Sequence, residues 1–157
     1  MKKLSIIIPA YNEERSISQI LGKIHQTRLI GETEKEILII DDGSKDSTAG
    51  KCRQFMQAHP DLDIHYHLQP FNQGKGAALR TGIALATGDW IIIQDADLEY
   101  DPEDYNPLLQ WVIENNAKVV YGSRFLKPSN KHSYLRFYLG GRLVTFVTNL
   151  LYGQHLT

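Results

Sequence analysis

The chain has a single cysteine, Cys52, in 157 residues. An internal disulfide and a cysteine-based zinc centre are therefore excluded. Its expected place is a buried helix face, as a small core residue. The sequence also lacks an excess of either charge: 17 Lys and Arg against 18 Asp and Glu leave a formal net charge of −1. No bulk field draws such a chain to nucleic acid or to an anionic membrane, and no nucleic-acid partner is expected. Long apolar runs are missing too. Met1-Lys2-Lys3 and the apolar stretch at 4–8 look like the start of a signal peptide, but Pro9, Asn12, Glu13 and Glu14 cut it off. No stretch approaches the length of a transmembrane helix. The expected location is cytoplasmic. Internal repeats and low-complexity tracts are absent as well.

What is present is an ordinary globular composition, 42% hydrophobic and 22% charged, in a length that suits one domain with its own core. Short apolar runs alternate with helical patterns. Residues 4–8 predict a first strand, stopped by Pro9. Asn12 is placed to cap a helix whose buried stripe is Ile17, Ile20, Leu21 and Ile24. Residues 36–40 predict a second strand, nearly unbroken in apolar character and so covered on both faces. Asp46, Ser47 or Thr48 can cap the next helix, with Ala49, Cys52 and Met56 inward. A third strand is expected near 64–68. The loop 72–76 leads into a small-residue helix through Ala77, Ala78, Gly82 and Ala86, able to approach the sheet closely. Asp101-Pro102-Glu103-Asp104 is a helix start, buried through Leu108, Leu109, Val112 and Ile113. A further strand is expected at 118–122. This alternation predicts an α/β fold with a mostly parallel sheet covered by helices on both faces. His65 and His67 lie two apart on a strand and read as a solvent-facing pair rather than a chelate.

The densest chemistry lies where Trp90-Ile91-Ile92-Ile93 runs into Asp95, Asp97 and Glu99. The run reads as a buried central strand, and ligands bind at the carboxyl ends of strands in open α/β sheets. If the extended conformation continued, the three carboxylates would point to one side. Like charges so close repel unless a cation joins them. A hard cation, Mg²⁺ or Mn²⁺, also held by substrate phosphates, would meet that need. The alternative of equal weight is a polar loop that is merely acidic. Acids follow two other strands, Glu13 after the first and Asp41 and Asp42 after the second. In a parallel sheet these ends gather on one edge. Turn chemistry and a helix cap remain the alternative for Asp41 and Asp42.

Five stretches occur in order: Ile8-Pro9-Ala10-Tyr11-Asn12-Glu13-Glu14, Ile40-Asp41-Asp42-Gly43-Ser44, Asn72-Gln73-Gly74-Lys75-Gly76-Ala77-Ala78, Asp95-Ala96-Asp97-Leu98-Glu99-Tyr100 and Tyr121-Gly122-Ser123-Arg124-Phe125. In these the chain resembles the inverting, family 2 glycosyltransferases of the GT-A (Rossmann-like) fold. It looks most like the dolichyl- and polyprenyl-phosphate mannosyl- and glucosyltransferases. The resemblance implies a nucleotide pocket lined by Pro9, Tyr11 and Glu13, with Ile40 and Asp42 at the base, Asp42 accepting from a ring N–H. It implies that Asp95, Ala96 and Asp97 hold the donor, with Asp97 the direct ligand of Mg²⁺ or Mn²⁺ and Glu99 a further one. Lys75 would contact phosphate, and Arg124 would neutralise donor or acceptor phosphate as a catalytic group beside Asp95 and Asp97.

The implied partners are a nucleotide-sugar donor, GDP-mannose or UDP-glucose, and a polyprenyl-phosphate acceptor. The implied location extends to the inner face of the cell membrane. Lys127, Lys131 and Arg136 would help bring two anionic phosphates together. Other readings stay open: a sugar-hydroxyl acceptor in the envelope or a polysaccharide, or donor binding without turnover. A nucleotidyltransferase of similar sheet would favour a glycine-rich loop near the N-terminus, which Pro9-Ala10-Tyr11-Asn12 does not supply. One GT-A domain is expected over 1–157, incomplete at its C-terminus because relatives continue with an acidic position and an aromatic-basic motif. Its 133–157 segment is an amphipathic helix, either core-facing or meeting a membrane. An apolar edge near Phe146 offers a route to an oligomer.

Overall fold

In a computed structural model the described residues are 1–122 and 135–153, the side chains of 135–139 excepted. They fall into two compact units, Met1–Asn116 and Ala117–Thr157. The first holds a four-stranded sheet of order β3-β2-β1-β4. Its strands are β1 (Lys3–Ala10), β2 (Glu34–Asp41), β3 (Asp63–Leu68) and β4 (Trp90–Ile93), and every pairing is parallel. The helices are α1 (Ile17–Gln26), α2 (Thr48–Ala58), α3 (Lys75–Leu85) and α4 (Tyr105–Asn115), the last preceded by a 3-10 turn at Pro102–Asp104.

Alternation along the strands divides the core in two. Ile6, Ile8, Ile37 and Ile39 face one side, where the predicted α1 stripe of Ile17, Ile20, Leu21 and Ile24 packs with Cys52, Tyr105 and Leu109. Ile7, Leu38 and Ile40 face the other side, under Ala78 of α3. Helices thus cover both faces. Each fully buried Ile or Leu contributes about 1.5–3 kcal/mol. Gly82 explains how α3 comes so near: a Cβ there would lie 2.4 Å from Ile7 Cγ2.

Several local expectations are corrected. Pro9 does not stop β1, which continues to Ala10 opposite Asp41. The Ile7 carbonyl accepts from Gln94 on the β4 side, and Pro9, two residues on, faces that same side beyond the end of β4. Its missing N–H therefore costs no ladder bond. Asn12 does not cap α1, which starts at Ile17; it has φ 56° and its Oδ1 accepts from Lys45 N–H. Asp46 does the work at the start of α2, accepting from Thr48 N–H and Oγ1–H.

β4 is an edge strand of this four-stranded sheet, not a central one. Trp90 and Ile92 pack on the core, while Ile91 and Ile93 are 45% and 46% exposed. On α4 the buried residues are Tyr105 and Leu109, and Ile113 is exposed. Residues 118–122 form no strand, because an apolar run becomes one only where a neighbouring edge takes its hydrogen bonds. His65 and His67 are exposed, as expected. In the second unit the segment expected to be helical forms α5 (Leu135–Tyr152), on which Leu143, Phe146 and Leu150 are exposed. No described helix is long and apolar enough to cross a membrane.

Candidate active site

The strand order reverses between β1 and β4: β2 and β3 lie on one side of β1, and β4 on the other. The crevice beyond the strand ends at such a point is where open α/β sheets bind ligands. A cleft of about 300 Å³ opens there, lined by the last residues of β1, by residues following β1, β2 and β4 and by the start of α3. Pro9, Tyr11, Glu13, Asp42, Lys75, Asp95, Ala96 and Asp97 all line it.

One wall is made by two loops stitched together. Asn12, Glu13 and Glu14 donate backbone N–H groups to Ser44 Oγ, Thr48 Oγ1 and Asp46 Oδ2. In return Lys45 and Ser47 donate theirs to Asn12 Oδ1 and Glu14 Oε2. The Glu13 carboxylate accepts from Ser16 Oγ–H at 2.6 Å. Bonds from side chain to backbone in both directions fix the loops' separation, and with it Tyr11 and Glu13.

The floor is held by two buried carboxylates. Asp41 accepts from Ser44 N–H and, at 2.6 Å, from Tyr66 Oη–H, so turn chemistry does account for it. Burial, then the bond to Asp41, pushes the Tyr66 hydroxyl pKa up. Burial, helped by the Asp41 charge, likewise pushes the Cys52 thiol up to about 12, which leaves it inert. Asp42 accepts from Gln73 N–H at 2.9 Å and Gly74 N–H at 2.7 Å, one on each oxygen. It therefore ties the end of β2 to the loop before α3. Gly43 permits that approach: its φ is +75°, and a Cβ would lie 2.9 Å from Asn72 N and Phe71 C.

The far wall carries the charge. Lys75, the first residue of α3, places Nζ 2.6 Å from Asp95 Oδ1. Asp95 is half-buried and Asp97 exposed, with the buried Ala96 between them. The chain after Asp95 is a turn rather than extended, with Leu98 at φ 66°. The three carboxylates therefore do not alternate along a strand. Asp97 Oδ1 accepts from Glu99 N–H, and Glu99 is exposed and lies outside the cleft lining. Ile40 lies beneath the cleft rather than in its wall, buried with Ile7, Leu38 and Ala78. Arg124, Lys127 and Lys131 lie outside the described residues, as does the side chain of Arg136.

Four lining residues have no site role in the sequence reading: Ala10, Asn72, Gly74 and Ala78. All four sit in the quoted stretches at 8–14 and 72–78, and those stretches are the available signal. A separate cluster, Glu36, Asp63 and His65, brings ligand atoms within 4.8 Å of one another. It lies at the strand starts, five residues before Asp41 on β2, roughly 16 Å away at the usual strand rise. Its atoms are already engaged. Glu36 accepts from Ser5 and twice from Thr87, and Asp63 from Lys3 and His65. That cluster is a structural network at the opposite edge from the cleft.

Comparison with known proteins agrees with this geometry. The chain is 32% identical over 167 aligned positions to a dolichyl-phosphate beta-glucosyltransferase of Dictyostelium discoideum, covering 98% of this chain and 47% of that protein. It is 30% identical over 125 positions to a dolichol-phosphate mannosyltransferase of Pyrococcus furiosus, covering 80% and 34%. Among solved structures, a mannosyltransferase from Pyrobaculum calidifontis in complex with GDP-Man and Mn²⁺ matches with a TM-score of 0.64 and 28% identity, covering 71% of this chain and 32% of that one. The chain spans about half the length of the curated relatives it matches first. Residues 5–154 match the model of glycosyl transferase family 2. With a parallel sheet whose carboxylates converge at the reversal of strand order, the chain belongs to glycosyl transferase family 2.

Proposed function

We propose that this domain transfers a hexose, with inversion, from a nucleoside-diphosphate sugar to a polyprenyl phosphate, with GDP-mannose or UDP-glucose as donor. The observation that carries the reading is the meeting of Asp95, Asp97, Lys75 and the loop held by Asp42 around one cleft. The dolichyl-phosphate relatives support the acceptor, and the GDP-Man complex supports the donor class.

The residues fit a divalent cation. Asp95 and Asp97 offer hard oxygen donors at one strand exit, in a cleft wide enough for a diphosphate beside them. Asp97 would be the direct ligand; Glu99 lies outside the cleft lining and keeps a ligand role only through the family resemblance. Bound there, Mg²⁺ or Mn²⁺ would supply Lewis-acid stabilisation of the departing diphosphate.

The chain's own residues do the rest. Pro9, Tyr11 and Glu13 enclose the nucleoside on the stitched wall. Asp42 keeps one lone pair on each oxygen beyond the bonds to Gln73 and Gly74, so it can hold the loop and still accept from a base N–H. Lys75 and the N-terminal end of α3 meet the charge that grows on the leaving diphosphate. A polyprenyl-phosphate nucleophile is already largely anionic, since phosphate monoesters have a second pKa of about 6. Little general base is needed, and cationic groups that unite the two phosphates matter more. Arg124 is assigned that role by its sequence position.

The test is calorimetric titration of UDP, GDP, UDP-glucose and GDP-mannose, with and without Mn²⁺, on the wild type and Asp97→Ala. Cation-dependent binding of one nucleotide, lost in the variant, is expected. Absence of binding by either nucleotide to the wild type would end the reading.

A further inference from the structure

Gln94 is a polar residue in an otherwise apolar strand end, only 1% exposed. Its amide nitrogen donates to Asp95 O at 3.0 Å and to Tyr100 O at 3.2 Å. The first and last residues of the turn are thereby joined by one side chain. Its Oε1 accepts from Tyr105 Oη–H at 2.6 Å. Tyr105 is itself buried, in the first turn of α4. Between the two pinned carbonyls lie Ala96, buried in the core, and Leu98, half-buried against it, with Leu98 in the left-handed region at φ 66°. A non-glycine residue keeps that conformation only when its surroundings over-determine it. Asp97 is left exposed at the centre of the closed turn.

From these bonds we infer that Gln94 and Tyr105 are positioning residues for the cleft: the buried tyrosine orients the Gln94 amide, and the amide sets the turn that presents Asp97. The pair touches neither donor nor acceptor. This inference rests on the reading of Asp95 and Asp97 as the cation-dependent donor site. Two buried polar groups justify their desolvation only when every donor is used. Here both amide hydrogens and the phenol hydrogen are used, each directly or through one bond on the turn. A leucine at 94 would fill similar space in the strand but leave two carbonyls and the Tyr105 hydroxyl without this partner.

The experiment uses Gln94→Leu and Tyr105→Phe in two measurements. Backbone hydrogen exchange is followed by mass spectrometry at 95–100 and, as reference, at 37–41 of β2. Both variants are expected to speed exchange at 95–100 at least tenfold while β2 is unchanged. Exchange that rises equally in both segments, or in neither, overturns the inference. The second measurement is nucleotide affinity with and without Mn²⁺, in the wild-type and Asp97→Asn backgrounds. Gln94→Leu is expected to lower the Mn²⁺-dependent affinity about tenfold, leave cation-free affinity unchanged, and add nothing once Asp97 is replaced. Tyr105→Phe follows the same pattern with a smaller loss. A loss that persists in Asp97→Asn would mean general destabilisation and overturn the positioning role. If the wild type binds no nucleotide, the functional reading and the positioning role fall together; faster exchange at 95–100 would then show Gln94 as an organiser of the turn alone.

Discussion

Lys75 Nζ lies 2.6 Å from Asp95 Oδ1 and joins the start of α3 to the exit of β4 across the cleft. The two residues are twenty positions apart in sequence and belong to different elements, the start of a helix and the exit of a strand. Lys75 is 57% exposed at its side chain and Asp95 24%, so the pair adds about 0–1 kcal/mol to stability. Its value is in charge placement. Lys75→Met is expected to leave the melting temperature nearly unchanged. Nucleoside-diphosphate affinity should fall about tenfold or more, the scale of a charge-assisted hydrogen bond. Calorimetry beside a thermal melt checks both. Unaltered affinity would remove Lys75 from the phosphate site.

Asp42 gives a prediction that separates two roles. If it holds the loop, Asp42→Asn leaves one of the Gln73 and Gly74 N–H groups facing an amide nitrogen instead of an oxygen. Exchange of those two amides should quicken in the ligand-free protein, and stability should drop by about 1–3 kcal/mol. A residue that only reads a base would change nucleotide affinity and leave both amides as they were.

Gly82→Ala sets helix propensity against packing. Alanine in a helix interior gains about 1 kcal/mol over glycine. The new Cβ would lie 2.4 Å from Ile7 Cγ2 and 3.3 Å from Ile40 Cγ1, and overpacking a core costs about 1–3 kcal/mol. The clash is with the rigid branch of a fully buried isoleucine, so packing is expected to win. A lower melting temperature is the outcome; a raised one would show that α3 can shift away from the sheet.

Acid should unfold this domain partly through Glu36. Burial acts to raise its pKa, but the hydrogen bonds from Ser5 and Thr87 outweigh it and hold the carboxyl below its ordinary value. A carboxylate held low in the fold stabilises above its unfolded pKa of about 4.3. That contribution is lost as pH falls through the folded pKa. Asp46 and Asp63 shift in the same direction. Melting temperature is expected to fall as pH drops from about 5 to 3. Glu36→Gln should flatten part of that slope and cost about 1–3 kcal/mol at neutral pH, because its amide nitrogen must face a Ser5 or Thr87 donor. An identical slope in the variant would exclude Glu36 as a contributor.

Periodicity sufficed wherever one residue's environment follows from its neighbours along the chain. The α1 stripe, the two-faced burial of β2, the buried Cys52 and the close approach at Gly82 are of this kind, since burial repeats with the period of the element. Strand-end acids also signalled the cleft correctly, because a parallel sheet brings its carboxyl ends to one edge. Polar residues at the ends of apolar runs carried no such signal. Glu36 reads as one more charged residue ahead of the run at 37–40 until Ser5 and Thr87 are seen beside it. Gln94 reads as a strand end until Tyr105 is found eleven residues on.

The residue pattern along the chain was thus enough for the α/β class, the α1 stripe, the family and most of the cleft lining, because these depend on local period and on motifs of contiguous residues; the α4 stripe it suggested was not the one buried. Folding in three dimensions was needed to show that β4 pairs with β1 on the side away from β2, that Asp42 is engaged by the 73–74 amides and that the acidic run turns back on itself at Leu98. Each of these is a hydrogen bond or dihedral set by a partner distant in sequence or by the closure of a turn, and a side chain's type does not reveal which partner it will meet.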